Sequence, residues 1–384
     1  MKTLIKSEWW INRKKIDYKI GFFAIMLIAI GCLFFYKFST IDDLEQEMDR
    51  QQTIVRSTLT QFQRISLSDT EQVTPLYENV VLQSRMIETA RLGIIVESPD
   101  VYYKGILQLA QWRDKAYSME DNDNVLEVLP SKRENDLTLK TLVALGDKSN
   151  SFAAFTKNAG HFVWWFLSFF SPLWFIIVVL ISSDLLLNDR SHLTLINGYP
   201  FSKTKLLLAK VIFNVTYFGG LLLFLLGLLF MTSLAFGYRS FVDPVAITTG
   251  QGISTRPLWQ VMLFIFSYLA VLTLVVVLLS VLLNLVTKNR YITILGSLSV
   301  GLVGYFLPQI NYLLPYGPTN IIDPVSLLVG QVSETSRQPL YLPQGFLAVL
   351  CYGVLTIGLI ALTYLIKSHT HHSRATRDTV GGNA

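Results

Sequence analysis

Six apolar runs, each of roughly 17 residues or more, constrain this chain more than any other feature: 20–36, 162–183, 206–235, 258–286, 291–307 and 345–366. A bilayer's hydrocarbon core is ~30 Å thick, and about 20 predominantly apolar helical residues cross it. No water is available there to pair with backbone N–H and C=O groups, so open runs of this kind must be helices. Composition agrees: 51% of residues are hydrophobic and 15% charged, against about 25% charged in soluble domains. The expected fold class is an all-α membrane protein with six transmembrane helices.

Residues 1–19 carry Lys2, Lys6, Arg13, Lys14, Lys15 and Lys19 among Leu4, Trp9, Trp10 and Ile16. This mixture suits an amphipathic helix lying at the interface with its Trp rings at headgroup level. The first span, 20–37, ends in Phe34-Phe35-Tyr36-Lys37, which offers no small-x-small cleavage site, so it is read as a retained helix. A polar insert fills 38–160. In it Ile41, Leu44, Met48, Val55 and Phe62 follow a seven-residue pattern that predicts a long helix. Further helices are expected over 76–92 and over 101–117, the latter after the start signal Ser98-Pro99-Asp100, whereas 121–136 reads as acidic and turn-like. The other spans are placed at 161–183, 206–235, 258–286, 291–309 and 344–366. A polar loop occupies 184–205. The stretch 310–343, with Pro315, Pro318, Pro324, Pro339 and Pro343, reads as a loop with a re-entrant element, and 367–384 as a tail.

Charge orients these pieces. The net charge of +5 divides into −5 over 37–157 and +10 over the remainder. Six spans put both termini on one side, and that side holds 15 Lys/Arg; the short loops opposite hold Arg239, Arg256 and Arg337. Basic residues accumulate on the cytoplasmic side, so both termini are expected inside and the insert is expected to be a mainly helical extracellular domain. Two sides of a membrane explain the split, and nucleic acid is not an expected partner.

The chemistry is sparse. No span has an ionisable residue near its middle, where an ion-coupled transporter needs one; Asn214, Thr216 and Asn284 are the strongest polar groups there. Gly146-Asp147-Lys148-Ser149 lacks the first glycine and the Gly-Lys pair of a phosphate-binding loop. His369, His371 and His372 lie in the polar tail without a supporting scaffold, and a disordered tail accounts for them. Cys32 and Cys351 fall in apolar runs and read as small buried residues. No catalytic set, metal site or cofactor is expected. Ser297, Gly301 and Gly304, at i, i+4 and i+7, form a small-residue face suited to helix packing.

The loop Asn188-Asp189-Arg190-Ser191-His192-Leu193-Thr194-Leu195, running on into Tyr199-Pro200-Phe201-Ser202-Lys203 and then Lys210, resembles that of permease subunits of ABC-2-type exporters. His192-Leu193 stands where that family has Gly before Thr-Leu. The basic N-terminal helix, six spans with both ends inside, and Leu314-Pro315-Tyr316 through Ile322-Asp323-Pro324 are similar too. The insert resembles a subgroup with a large external domain between spans 1 and 2. The resemblance implies a permease in a bacterial plasma membrane, paired with a second protomer as a homo- or heterodimer. A separate cytoplasmic ATPase subunit would use the ATP and press on Asp189, Arg190, His192, Leu193, Thr194, Leu195, Ile196, Pro200 and Lys203. The expected cargo is amphipathic, peptide-like or lipid-like, in the service of antimicrobial resistance, immunity or peptide export. Alternatives are a non-transporting membrane sensor or immunity protein whose external domain binds a peptide, a sodium extruder, and an intramembrane enzyme.

Overall fold

Helices dominate wherever the backbone is described, and one small hairpin interrupts them. The computed structural model describes residues 2–12, 15–39, 43–66, 75–119, 128–146, 152, 155, 158–187, 202–236, 241–332 and 340–380. In chain order these form α1 (Lys2–Asn12), α2 (Ile16–Phe38), α3 (Leu44–Ser66), α4 (Pro75–Ile95), α5 (Pro99–Ala116), α6 (Lys132–Leu145), α7 (Ala159–Ser182) and α8 (Lys203–Phe236). Strands β1 (Pro244–Thr249) and β2 (Gly252–Pro257) follow. Then come α9 (Leu258–Thr287), α10 (Arg290–Phe306), α11 (Pro308–Leu313), α12 (Pro318–Ile322), α13 (Pro324–Val329) and α14 (Leu342–Val380). Five helices, α2, α7, α8, α9 and α14, contain stretches long and apolar enough to cross a membrane, which points to a multi-pass membrane protein. The run expected to be a further span forms α10, an apolar helix of 17 residues. At 1.5 Å per residue it rises about 25 Å, short of the ~30 Å core.

The chain divides into two compact units, Met1–Ala29 with Leu167–Leu228 and Leu263–Ala384, and Ile30–Phe166 with Leu229–Met262. In the second, α3, α4 and α5 bury Met48, Val55, Val80, Ile87, Tyr102 and Leu109 as one core. Met48, Val55 and Phe62 come from the seven-residue pattern, which keeps one stripe of α3 turned inward. Helices α4 and α5 touch backbone to backbone: a Cβ on Gly105 would sit 2.7 Å from the Ala90 nitrogen, so only glycine permits this approach. Helix α6 is pinned to α5 by Asn135 Nδ2 donating to the Ala110 carbonyl (2.9 Å) and by Tyr103 Oη donating to the Leu142 carbonyl (3.1 Å). The hairpin packs on α6, with Pro244 opposite Pro257 and Thr249 opposite Gly252.

In the first unit, polar side chains stitch apolar helices together. Trp174 Nε1 on α7 donates to Thr273 Oγ1 on α9 (2.9 Å), and two turns on Ser182 Oγ meets Ser280 Oγ (2.7 Å). Thr293 Oγ1 on α10 donates to Asn284 Oδ1 on α9 (2.9 Å). Between apolar helices such bonds supply attraction that a lipid surround does not.

Four expectations are corrected. The all-α expectation gives way at Pro244–Pro257, which forms a β-hairpin because β-branched residues flank the two-residue link Gly250-Gln251. The acidic, turn-like 121–136 ends inside α6, since Ser131 Oγ accepts from the Glu134 amide (3.2 Å) and starts a helix at Lys132. Cys351 is exposed and Cys32 half-buried; an apolar run does not say which helix face a residue takes. The tail does not begin as coil at 367, for α14 continues to Val380, with no Gly or Pro between Gly358 and Gly381 to stop it.

Candidate functional site

A buried polar junction in the first unit joins α1, α2, α8 and the turn that follows α7. Helix α1 turns Leu4, Glu8 and Asn12 inward, at i, i+4 and i+8, one stripe of a helix. Trp10 on the opposite face (62%) and Ile11 at the edge of the stripe (56%) are exposed. The apolar side is thus left outward, as a helix lying at a lipid interface requires, while an acid is turned in. Glu8 Oε1 stands 3.8 Å from Lys210 Nζ on α8, with both side chains under 10% exposed, at 8% and 7%. Asn12 Nδ2 donates to Glu8 Oε2 (3.0 Å). Lys210 Nζ also donates to the Leu185 carbonyl (3.4 Å), in the turn that follows α7.

The junction continues into α2. Asn214 Nδ2 donates to the Lys210 carbonyl (3.0 Å), and its Oδ1 accepts from Tyr18 Oη (2.9 Å). Tyr217 Oη donates to the Tyr18 carbonyl (2.6 Å). Phe213 makes T-shaped ring contacts with Trp9 and Tyr18, at 5.6 and 5.4 Å between centroids. At the rim Arg290 Nη2 lies 3.5 Å from Asp17 Oδ2. Four elements, α1, α2, α8 and the end of α7, are therefore held in one register.

Energetically this is a stiff joint. Burying two charges costs several kcal/mol per ion, which their attraction and added hydrogen bonds offset only in good geometry. Removing one partner strands the other, at about 3–5 kcal/mol. The cluster pairs no nucleophile with a base, and no group of three or more His, Cys, Asp or Glu residues suited to a metal occurs among the described residues. The pair ties α1 to the foot of α8, so neither can shift against the other without breaking it.

Asp189, Arg190, His192, Leu193, Thr194, Leu195, Ile196 and Pro200 lie outside the described residues, and Lys203 opens α8 without a described side chain. Ser297, Gly301 and Gly304 share the buried face of α10. A Cβ on Gly301 would collide with the Phe175 ring and with Ile322 Cδ1, and one on Gly304 with the Asn311 side chain. The Gly304 N–H donates to Thr319 Oγ1 (2.9 Å), and Asn311 Nδ2 donates to the Gly304 carbonyl (3.1 Å). Beside them lies an apolar cavity of about 200 Å³, bounded by Phe175, Leu272, Val276, Gly301, Ile322 and Thr356 among others.

Sequence reasoning named Lys210 only within the loop motif, and missed Glu8 and the pairing of the two. The signal was present: Glu8 and Asp17 are the only acids in 1–19, and Lys210 is followed by no other charge until Arg239. A charge embedded in an apolar helix demands a partner. No family model, curated protein or solved structure matches this chain.

Proposed function

We propose that this chain is the membrane permease subunit of an ATP-binding cassette exporter, an ABC-2-type permease, driven by a separate cytoplasmic ATPase. The observation that carries this reading is the Glu8–Lys210–Leu185 joint, which binds the N-terminal helix to the two helices on either side of 188–201. A force applied to that stretch reaches α1, α2, α7 and α8 together. In this reading both termini and 188–201 face the cytoplasm of a bacterial cell, following the excess of Lys/Arg on their side. Helix α10 completes a sixth span with the short helices after it, 38–160 is extracellular, and two protomers make the transporter. The apolar cavity beside Gly301 favours an amphipathic, peptide-like or lipid-like cargo over a bare ion.

The test uses the full chain purified from its host membrane. A nucleotide-hydrolysing subunit should co-purify, and ATP turnover of the reconstituted pair should fall at least tenfold with Leu193→Ala or Arg190→Ala. Unchanged partner binding and turnover in both variants sinks the coupling assignment. A second reading, a sensor that transports nothing, is favoured by the separate core of α3–α5; cargo efflux from vesicles holding the chain and its ATPase excludes it.

A further inference from the structure

The second unit contains a cavity of about 190 Å³ whose wall mixes apolar and charged groups. That is the room of roughly six waters, at ~30 Å³ each in the liquid. Arg113 of α5, 6% exposed, stands at this wall. Its Nη2 donates to Gln51 Oε1 (2.5 Å) and its Nε to Gln83 Oε1 (3.4 Å). A guanidinium has five N–H donors, and Nη1 donates to no group of the described residues. Burial lowers the Arg113 pKa to about 10, so the side chain still carries its charge at neutral pH.

Two more buried residues keep an unused polar atom at the same wall. Tyr102 (4% exposed) makes ring contacts but its hydroxyl has no hydrogen-bond partner among the described residues. Asn135 (3% exposed) spends its Nδ2 on Ala110 and leaves Oδ1 unpaired. None of the three atoms is sealed from solvent, and all three residues line the cavity. Atoms of this kind, set in buried residues but open to the cavity, can be reached by a ligand as well as by water.

The charges around them sort into a used pair and an unused pair. Arg50 grips Glu47 with two bonds of 2.9 Å, and Gln51 Nε2 also donates to that carboxylate (2.5 Å). Glu134 lines the cavity, and its carboxylate makes no hydrogen bond or ion pair with the described residues. The unused set is one cation with a hydroxyl and one carboxylate with an amide oxygen. The first suits a carboxylate and the second an ammonium group. Met48, Ile106, Leu109 and Leu142 supply an apolar wall beside them.

We infer that this cavity is a binding site for a small zwitterion, a free α-amino acid with an apolar side chain. Arg113 and Tyr102 hold its carboxylate, and Glu134 and Asn135 hold its ammonium group. The inference is independent of any transport role.

The test is calorimetric titration of the full chain in lipid nanodiscs with L-leucine, L-leucinamide and N-acetyl-L-leucine, followed by the other common L-amino acids. Leucine should bind, with the amide and the acetyl derivative each at least tenfold weaker. Glu134 is exposed, so Glu134→Gln should leave the melting temperature of the ligand-free chain unchanged. In that variant leucine should lose its advantage over N-acetyl-L-leucine while keeping its advantage over leucinamide. Equal affinity for the three probes, no binding by any common amino acid (a hydrated cavity only), or unchanged discrimination in Glu134→Gln would each overturn the proposal.

Discussion

The two units bury charge in different ways. In the first, Glu8 and Lys210 face each other directly, with Asn12 and the Leu185 carbonyl completing their shells. In the second, the Arg113 guanidinium meets neutral amides, and the nearest engaged carboxylate, Glu47, is reached only through Gln51. The same chain of bonds extends through Gln83 to Asn79 (2.8 Å) and on to the Trp112 carbonyl (3.0 Å). A direct pair is a lock, because each charge depends on one partner. A relay shares one charge over several dipoles, so losing a member leaves the others partly satisfied. The first kind suits a joint under load, and the second suits a wall that must keep donors free.

The sharpest way to break this contrast is at Glu8. Glu8→Gln should lower the stability of the detergent-solubilised chain by about 3–5 kcal/mol, and adding Lys210→Met should restore most of it, because the second change removes the stranded charge. Denaturant melts read both; a double variant no better than the single would make the pair an incidental neighbour. Arg113→Met should cost less, about 1–3 kcal/mol, since it leaves two amide oxygens short of a donor but no opposite charge alone. A loss as large as that of Glu8→Gln would erase the distinction between lock and relay.

The smallest effect lies at Asp136 on α6, whose carboxyl pKa is raised by partial burial and then by Asp114, against Lys132 and Lys140. A carboxyl that holds its proton more tightly when folded favours the native state at low pH and loses that advantage as pH rises through the folded pKa. Asp136→Asn should therefore stabilise the chain by about a few tenths of a kcal/mol at pH 7, with no gain once pH is below the ordinary carboxylate range. Equal gains at both pH values would assign the effect to packing.

Legibility from sequence followed the range of the interaction. The long helix over 44–66 was readable because Met48, Val55 and Phe62 repeat along one stripe, and that stripe is the core. Helix α6 was hidden by its acidic approach, although Ser131 and Glu134 stand at the spacing of a capping box. The hairpin leaves little trace in the sequence because its two six-residue strands are far shorter than the apolar runs beside them. The Glu8–Lys210 pair joins residues some two hundred positions apart, and only helix packing brings them together. Arg113 offered no local sign of burial, since its partners Gln51 and Gln83 belong to other helices.

The short helices after α10 have a consequence of their own. Every helix end leaves backbone groups without partners, and α11, α12 and α13 crowd many ends into one place. Here side chains serve them: Asn320 Nδ2 donates to the Pro315 carbonyl (3.1 Å), Tyr268 Oη to the Ile321 carbonyl (2.7 Å), Tyr352 Oη to the Tyr316 carbonyl (3.0 Å), and Asp323 Oδ1 accepts from the Val325 amide (3.0 Å). Such a segment brings its own solvent. Under the proposed six-span reading, its irregular backbone can follow α10 into the apolar layer without recruiting water.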